Sequence, residues 1–190
     1  MPTGSVLVVH TTCAPATVAS LGPDVVDAAI SGGPHDIAAG TLTLWVGGDE
    51  AVVDRMRPVL ATYASPIMSV GPVGNGQRVK LVNNALFVAQ VGLAIDAVRL
   101  AGSLGIDEKV ILAAVQHGSG ASRALDIVSR GDSVDAVAHR LAGLMLKDVT
   151  VVRDVARRAG ADLGIIGAVL SSDAVEKKVL HQPTEPRSER

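Results

Sequence analysis

Three polar residues stand close together in an otherwise apolar stretch of the chain: Lys80, Asn83 and Asn84. Their i, i+3 and i+4 spacing would place them on one side of a helix. Because burying an unpaired lysine is costly, we expect Lys80 to face a cavity or a partner, and a lysine whose pKa is lowered by desolvation can act as a general acid or base. A lysine near a helix start can equally extend its ammonium into solvent, and the residues alone leave both interpretations open.

A second candidate site is the tripeptide Ser31-Gly32-Gly33, which follows a predicted strand. Glycines let the backbone approach a ligand closely, and amide N–H groups beside a serine hydroxyl suit a carboxylate. A plain turn between two strands has the same composition, and the local sequence by itself favours that interpretation.

A glycine-rich segment, Gly71–Gly76, precedes the long apolar stretch. Gly74, Gly76 and Val79 nearly fit a dinucleotide-binding fingerprint, but that fingerprint needs a helix of ordinary length and then a strand with an acidic residue about 20 residues on. Asp96 lies in the same predicted helix here, so we reject the fingerprint. The glycines are instead predicted to bring the backbone close to a ligand or to the helix itself.

Other residues of chemically useful types have simpler explanations. Lys147 and Asp148 are interpreted as a surface charge pair. The five histidines lack metal-ligand spacing, so they are expected at the surface or in loops and no metal site is predicted. Cys13 stands at a predicted helix start, where a thiol pKa can fall, but a small buried hydrophobe is the favoured interpretation.

The elements that must position these residues change in type along the chain. The first third has the pattern of an α/β unit, with short apolar or alternating runs separated by turns. Strands are predicted at residues 6–9, 24–31, 41–46 and 65–70. One helix is predicted to begin near Pro15. A second is predicted to begin after Asp49, its N-cap, and to end at about Tyr63.

After residue 76 the pattern becomes helical. A long helix over residues 77–101 is apolar nearly all round, which predicts that it is buried. Further helices are predicted at residues 107–117, 121–129, 134–139, 144–159 and 163–180, with Gly160 as a stop. We therefore predict an α/β domain over residues 1–74, an all-α domain over residues 75–180 and a disordered tail over residues 181–190.

The composition excludes several classes of protein. The 190 residues are 48% hydrophobic, which argues against a disordered chain, while an aromatic content of 2% and a net charge of −2 make nucleic acid an unexpected partner. One cysteine cannot form an intrachain disulfide. The most apolar stretch, residues 81–100, is interrupted by charged and amide side chains, and the N-terminus lacks a secretory pattern, so no membrane span and a cytoplasmic location are expected.

Four segments follow one another in a characteristic order: Gly4–Pro15, Asp27–Gly33 with its continuation Gly40–Asp49, Gly71–Asn84, and Leu144–Asp148. Together they resemble the β-hydroxyacid dehydrogenase family, which includes 3-hydroxyisobutyrate dehydrogenase and tartronate semialdehyde reductase. The third segment, GPVGNGQRVKLVNN, matches the family's G-x-x-G-x-G-x-x-x-K-x-x-N-N core almost completely.

This resemblance implies an NAD- or NADP-dependent oxidoreductase that moves a hydride between a nicotinamide and a small β-hydroxyacid or its semialdehyde. It implies Lys80 as the catalytic acid/base and Asn84 as its support at the substrate. The remaining implied contacts are Ser31, Gly32, Gly33 and Asn83 for the substrate carboxylate and its surroundings, and Thr12 and Lys147 on the cofactor side.

The resemblance also implies a fold: the second half of a doubly wound Rossmann-type sheet, followed by an all-α domain. The family's strand, G-x-G-x-x-G turn and helix that hold the pyrophosphate have no counterpart in this sequence. The first strand should therefore have an unpaired edge, covered by another copy, by a separate N-terminal polypeptide or by rearranged chain. The helical domain should form a homodimer or a higher oligomer.

A different class of function stays open at this point. Without a phosphate-binding loop, cofactor affinity should fall sharply. The chain could then be a non-catalytic remnant that binds a small carboxylate or acts as a dimerisation module.

Overall fold

The computed structural model describes residues 4–180, so the predicted disordered tail at residues 181–190 lies outside the described residues. The chain separates into two compact units, Met1–Asn83 and Asn84–Arg190. The first unit is α/β and the described part of the second is helical. The division into functional domains at residues 74 and 75 stays a prediction.

Strands and helices alternate in the α/β unit. They are β1 (Leu7–Val9), α1 (Pro15–Ala19), β2 (Val25–Ser31), α2 (Pro34–Ala39), β3 (Leu42–Gly47), α3 (Glu50–Leu60) and β4 (Ala64–Ser69), followed by the first turns of α4 (Asn75–Ser103).

The strands form one mixed sheet in the order β1-β2-β3-β4. Strands β1 and β2 are parallel, β2 and β3 are antiparallel, and β3 and β4 are parallel, with Asp27 opposite both Val9 and Gly47. Because β1 and β2 are parallel, their carboxyl ends lie at the same edge of the sheet, where open α/β sheets bind ligands. The predicted partial sheet is confirmed, and β1 lies at its margin with β2 as its partner among the described strands.

Alternate residues of β3 build the core of this unit. Leu42, Leu44 and Val46 are almost completely buried, whereas Thr43 and Trp45 between them are half-buried. The alternation predicted for this strand is therefore confirmed. Strand β2 is buried without alternation over its first five residues, as expected for a strand covered on both faces.

Local signals explain most helix boundaries in this unit. Asp49 caps α3 as predicted, because its carboxylate accepts hydrogen bonds from the N–H groups of Ala51 and Val52. Helix α2 was not predicted, although Pro34 at its first position and Gly40 in the left-handed conformation at its end are ordinary boundary signals.

Helix α4 spans 29 residues, and its prediction over residues 77–101 is confirmed. The expectation that it is buried all round is wrong, since Val82, Leu86, Leu93 and Leu100 are 45–64% exposed. The helix is long and apolar enough to cross a membrane by length and composition, but half of the window that meets this test is buried within the protein.

The helical unit continues α4 with five further elements among its described residues. They are α5 (Glu108–Val115), α6 (Arg123–Ser129), α7 (Val134–Ala159), α8 (Gly164–Leu170) and α9 (Asp173–Lys178).

Two boundaries differ from the sequence prediction. Helix α7 is one continuous helix, because Gly143 at the expected break keeps helical geometry, and the helix ends at Gly160 as predicted. The single helix predicted over residues 163–180 is instead two helices, because Ser172 accepts a hydrogen bond from the N–H of Val175 and so starts α9 anew.

Candidate functional site

Three predicted site residues of the α/β unit lie at the ends of its elements. Thr12 is half-buried in the loop between β1 and α1, and Ser31 is half-buried at the end of β2. Lys80 is half-buried in the second turn of α4. Partial burial is compatible with both interpretations of Lys80, a lysine that faces a cavity and one that extends its ammonium into solvent, so its role stays a prediction.

The two glycines after Ser31 have different environments. Gly32 has a φ of 133°, and a Cβ there would lie 2.7 Å from Leu42 Cδ2, so this position requires glycine. The N–H of Gly33 donates a hydrogen bond to Asp36 Oδ2 at 2.7 Å. The Gly33 amide thus already has an acceptor, and a substrate carboxylate would have to compete with Asp36 for it.

A carboxylate inside the sheet holds the start of α4. Asp27 on β2 is completely buried; its Oδ1 accepts a hydrogen bond from the N–H of Gly74, and its Oδ2 accepts one from the N–H of Gln77, both at 2.8 Å. Burial raises the pKa of Asp27, and the backbone N–H groups oppose this rise without cancelling it. Asp27 therefore acts as the cap for the helix that carries Lys80.

Glycines make this close approach possible. A Cβ on Gly47 would lie 2.5 Å from Asp27 Oδ1, and a Cβ on Gly76 would lie 2.5 Å from the carbonyl oxygens of Asp27 and Trp45. The glycine-rich segment before α4 thus brings backbone against backbone, which is one of the two roles predicted for it from the sequence.

The completely buried side chain of Gln77 joins α4 to the loop after β1. Its Oε1 accepts a hydrogen bond from the N–H of Cys13 at 2.9 Å, and its Nε2 donates one to the carbonyl oxygen of Thr11 at 3.1 Å. Both partners of Gln77 flank Thr12 in the sequence.

In the helical unit, a second buried carboxylate gathers two predicted residues. The side chain of Asn84 donates a hydrogen bond from Nδ2 to Asp148 Oδ2 at 2.5 Å, and Lys147 Nζ lies 3.5 Å from Asp148 Oδ1. The side chain of Asp148 is 7% exposed, against 59% for Lys147. The interpretation of this dipeptide as a surface charge pair is therefore wrong for Asp148, which lies on the buried stripe of α7 with Val149 and Val152.

The two oxygens of Asp148 differ in their partners. Oδ2 accepts from Asn84, whereas Oδ1 is buried without a hydrogen-bond donor among the residues that the structure describes. Buried polar atoms are nearly always hydrogen-bonded, so this oxygen calls for an explanation. The ammonium of Lys147 is the nearby charge that offsets this deficit.

His10 lies in a loop position directly after β1, as the sequence predicts, and both of its ring nitrogens have hydrogen-bond partners. His10 is half-buried; its Nδ1 lies 2.7 Å from the carbonyl oxygen of Ala28 and its Nε2 lies 2.9 Å from the Tyr63 hydroxyl. Because a carbonyl can only accept, the Nδ1–H donates to Ala28 and the Tyr63 hydroxyl donates to Nε2. Burial raises the pKa of Tyr63.

Sequence reasoning assigned no role to Asp27 or Gln77. An acid inside an apolar strand is a usable signal for Asp27, because such a group must find donors. The helical period is a usable signal for Asp148, because it places this residue on the apolar stripe of α7. Nothing in the local sequence distinguishes Gln77 from a surface glutamine. Between residues 4 and 180, no cluster of three His, Cys, Asp or Glu side chains is placed to hold a metal ion.

Two family models match consecutive parts of the chain. Residues 1–71 match the NAD binding domain of 6-phosphogluconate dehydrogenase. Residues 74–175, more than half of the 190 residues, match the NAD-binding of NADP-dependent 3-hydroxyisobutyrate dehydrogenase.

Individual proteins are similar over most of the chain. The NAD-dependent L-serine dehydrogenase of Pseudomonas aeruginosa is 33% identical over 79% of this chain and 53% of its own length. A 3-hydroxyisobutyrate dehydrogenase structure from Salmonella typhimurium superposes with a TM-score of 0.77 at 28% identity, covering 90% of this chain and 63% of that one. The Mycobacterium tuberculosis 3-hydroxyisobutyrate dehydrogenase with L-serine gives a TM-score of 0.66 at 29% identity, covering 76% and 53%.

The mixed sheet, the long helix and the helices after it define a Rossmann-type dehydrogenase architecture with an appended helical part. The chain belongs to the 3-hydroxyisobutyrate dehydrogenase family. It spans between about half and two thirds of the length of these relatives.

Proposed function

We propose that this chain is the substrate-side part of an NAD(P)-dependent oxidoreductase acting on a small β-hydroxyacid or its semialdehyde. The observation that carries the proposal is the buried hydrogen bond between Asn84 and Asp148, with Lys147 beside it on α7. Asn84 follows Lys80 by one turn of α4. Amide and carboxylate groups held in low dielectric at the expense of solvation are typical of sites built for chemistry.

Lys80 is the proposed acid/base. In the oxidative direction its neutral amine takes the proton of the substrate hydroxyl, and in the reductive direction its ammonium stabilises and protonates the developing alkoxide. The bound nicotinamide supplies the hydride chemistry. Asn83 and Asn84 lie one helical turn from Lys80 and orient the substrate.

The substrate carboxylate is assigned to Ser31, Gly32 and Gly33 at the end of β2, where Asp36 competes for the Gly33 amide. Thr12 and Lys147 are assigned to the cofactor side. A β-hydroxy carboxylate such as L-serine suits this assignment, since one relative is named an L-serine dehydrogenase and a solved relative carries L-serine.

The residues present fit the nicotinamide end of the cofactor better than its phosphates. Thr12 lies at the carboxyl end of β1, and its two neighbours are held by a buried amide, which gives a fixed backbone next to the sheet edge. The sequence contains no G-x-G-x-x-G turn. The proposal covers both NAD and NADP as cofactor. It also includes a source for the phosphate site, such as a separate N-terminal half that pairs with β1.

A second copy of this chain is the proposed partner of α4. Leu86, Leu93 and Leu100 recur every seven residues and are 45–61% exposed, which is the pattern of a helix–helix seam. A homodimer or higher oligomer in the cytoplasm is the expected form.

Cofactor titration tests this proposal. Micromolar binding of NADH or NADPH by the purified chain, measured by fluorescence titration, would exclude the non-catalytic remnant. Absence of binding at millimolar cofactor would defeat autonomous catalysis and leave the carboxylate-binding or dimerisation module, which no similarity favours.

Lys80→Met tests the acid/base. It should abolish NAD(P)-linked oxidation of L-serine or 3-hydroxyisobutyrate, while Lys109→Met, on helix α5, should leave the rate unchanged. Unchanged turnover in Lys80→Met removes Lys80 from the mechanism.

A further inference from the structure

The side chain of Gln77 forms two hydrogen bonds with the backbone of the loop between β1 and α1. Gln77 has no solvent-exposed surface, and its amide satisfies one donor and one acceptor of that loop. An amide presents an acceptor and a donor on adjacent atoms, so the Oε1 takes the Cys13 N–H while the Nε2 gives a proton to the Thr11 carbonyl. Losing the amide would leave both backbone groups without these partners.

The two hydrogen-bonded groups, the Thr11 carbonyl and the Cys13 N–H, lie on either side of Thr12. Fixing the carbonyl before this residue and the N–H after it restricts the peptide planes on both sides, and therefore the direction in which the Thr12 side chain leaves the backbone. Thr12 is half-buried in this position.

Gln77 is itself fixed at its backbone. Its N–H donates to Asp27 Oδ2, and the other oxygen of Asp27 accepts from Gly74, so the first turn of α4 is held against the middle of β2. The side chain and the backbone of Gln77 thus link three separate segments: the loop after β1, strand β2 and the start of α4.

Lys80 follows Gln77 by three residues, within one turn of α4. A rigid helical turn therefore connects the amide that fixes the Thr12 loop to the lysine assigned to proton transfer. We propose that Gln77 is a positioning residue that sets the Thr12 loop against the Lys80 turn of α4, and so aligns the cofactor side with the acid/base; its role in the reaction rests on the proposed function above.

Cys13, the sole cysteine of the chain, is a built-in reporter of this loop. The test compares the unsubstituted chain with Gln77→Met, which keeps the side-chain length without the amide, and Gln77→Glu, which keeps the acceptor for Cys13 N–H but has no proton to give Thr11 when ionised. Gln90→Met, a half-buried glutamine later in α4, is the matched control.

The measurements are hydrogen exchange at the Cys13 amide, the rate of Cys13 modification by a chromogenic disulfide reagent, and the same rate with NADH present. Gln77→Met should accelerate amide exchange by about tenfold or more, as expected for a lost hydrogen bond, and should raise the thiol rate. Gln77→Glu should retain more protection of the Cys13 amide than Gln77→Met, and Gln90→Met should match the unsubstituted chain.

Unchanged Cys13 exchange and thiol rates in Gln77→Met overturn the positioning role, whatever the chain binds. NADH should slow thiol modification in the unsubstituted chain, with weaker protection in Gln77→Met. If NADH does not slow thiol modification in the unsubstituted chain, that result counts against the proposed function. The exchange rates at the Cys13 amide still decide whether Gln77 holds the loop. If Gln77→Met does not fold, Gln77→Glu decides through the thiol reaction, because a Cys13 modification rate equal to that of the unsubstituted chain after Thr11 has lost its donor would contradict the two-point contact.

Discussion

The α/β unit and the helical unit each contain a buried carboxylate near predicted site residues, but the two carboxylates have different hydrogen-bond partners. Asp27 is completely buried, and its two oxygens accept from the backbone N–H groups of Gly74 and Gln77. Asp148 accepts from a side chain, Asn84, on one oxygen, while its other oxygen is buried without a donor among the described residues.

This difference in hydrogen-bond partners distinguishes a carboxylate with a structural role from one that could take part in a reaction. A carboxylate with both oxygens bonded to backbone holds two segments of chain together and is not available to a ligand. A carboxylate bonded to an amide side chain and placed beside a lysine can instead adjust when charge changes nearby. We therefore expect Asp27 to act in the framework, whereas a role of Asp148 in the site stays a prediction.

The sharpest test of this contrast is Asp148→Asn. The amide oxygen can still accept from Asn84, so the free energy of unfolding should change by less than about 1 kcal/mol, whereas loss of the charge beside Lys147 should lower the rate of NAD(P)-linked hydroxyacid oxidation on the order of 100-fold. Steady-state kinetics and urea unfolding measure the two effects. Asp154→Asn is the control for the rate, because Asp154 is a half-buried carboxylate of the same helix that pairs with Arg157 and Arg158. A rate equal to that of the unsubstituted chain in Asp148→Asn would place Asp148 in the framework as well.

The opposite result is expected for Asp27→Ala. Two buried N–H groups lose their acceptor, so the chain should lose about 3 kcal/mol of unfolding free energy. Urea unfolding followed by circular dichroism measures this loss. Asp24→Ala serves as the control because the side chain of Asp24 is 57% exposed and forms a long ion pair of 3.8 Å with Arg55. Surface ion pairs of this kind contribute roughly 0–1 kcal/mol to stability. Equal stability of the two variants would contradict the capping role of Asp27.

Two glycines of α4 extend the comparison to packing. In Gly76→Ala the new Cβ meets backbone carbonyls at 2.5 Å, which cannot move without shifting two strands, so about 2 kcal/mol should be lost. In Gly92→Ala the new Cβ meets a side-chain methyl group of the buried Val175 and no backbone atom, and alanine favours a helix by up to about 1 kcal/mol. Thermal unfolding should therefore show a clearly larger loss of stability for Gly76→Ala than for Gly92→Ala. The reverse order would show that the start of α4 accommodates a new Cβ more easily than the contact with Val175 does.

The smallest expected effect is the pH dependence of the Asp27 contribution. Burial raises the pKa of Asp27 above its ordinary value of 3.8, so the folded chain holds this proton more tightly than the unfolded chain. The stabilisation is complete below the unfolded value and is lost as the pH rises through the folded-state pKa. The difference in unfolding free energy between the unsubstituted chain and Asp27→Asn should therefore shrink as the pH is raised from acidic to neutral. A difference that grows with pH would mean that the backbone N–H groups outweigh burial.

Much of the fold was predictable because its signals are local. The alternation of β3, the Asp49 cap and the apolar length of α4 follow from neighbours within a few residues. The continuous α7 and the separate α8 and α9 were missed because a glycine in a helix and a serine at a helix start have two outcomes each, and tertiary packing selects between them.

The candidate site divides in the same way. Lys80, Asn83, Asn84 and the Ser31-Gly32-Gly33 tripeptide were found from residue type and spacing, and their roles stay predictions. The occupied amide of Gly33 could not be anticipated, because it depends on the unpredicted helix α2 bringing Asp36 back to the strand end.

The sequence by itself determined the family, the change from an α/β to a helical pattern and the polar cluster on α4, since motif order and helical spacing are properties of neighbouring residues. Only the tertiary structure decided which buried groups are partners: Asp27 with Gly74 lies 47 residues apart, and Gln77 with Cys13 and Asn84 with Asp148 each lie 64 residues apart. Periodicity indicates which face of an element is buried, but a hydrogen bond between distant residues depends on how the faces meet, and that is set by packing of the whole unit.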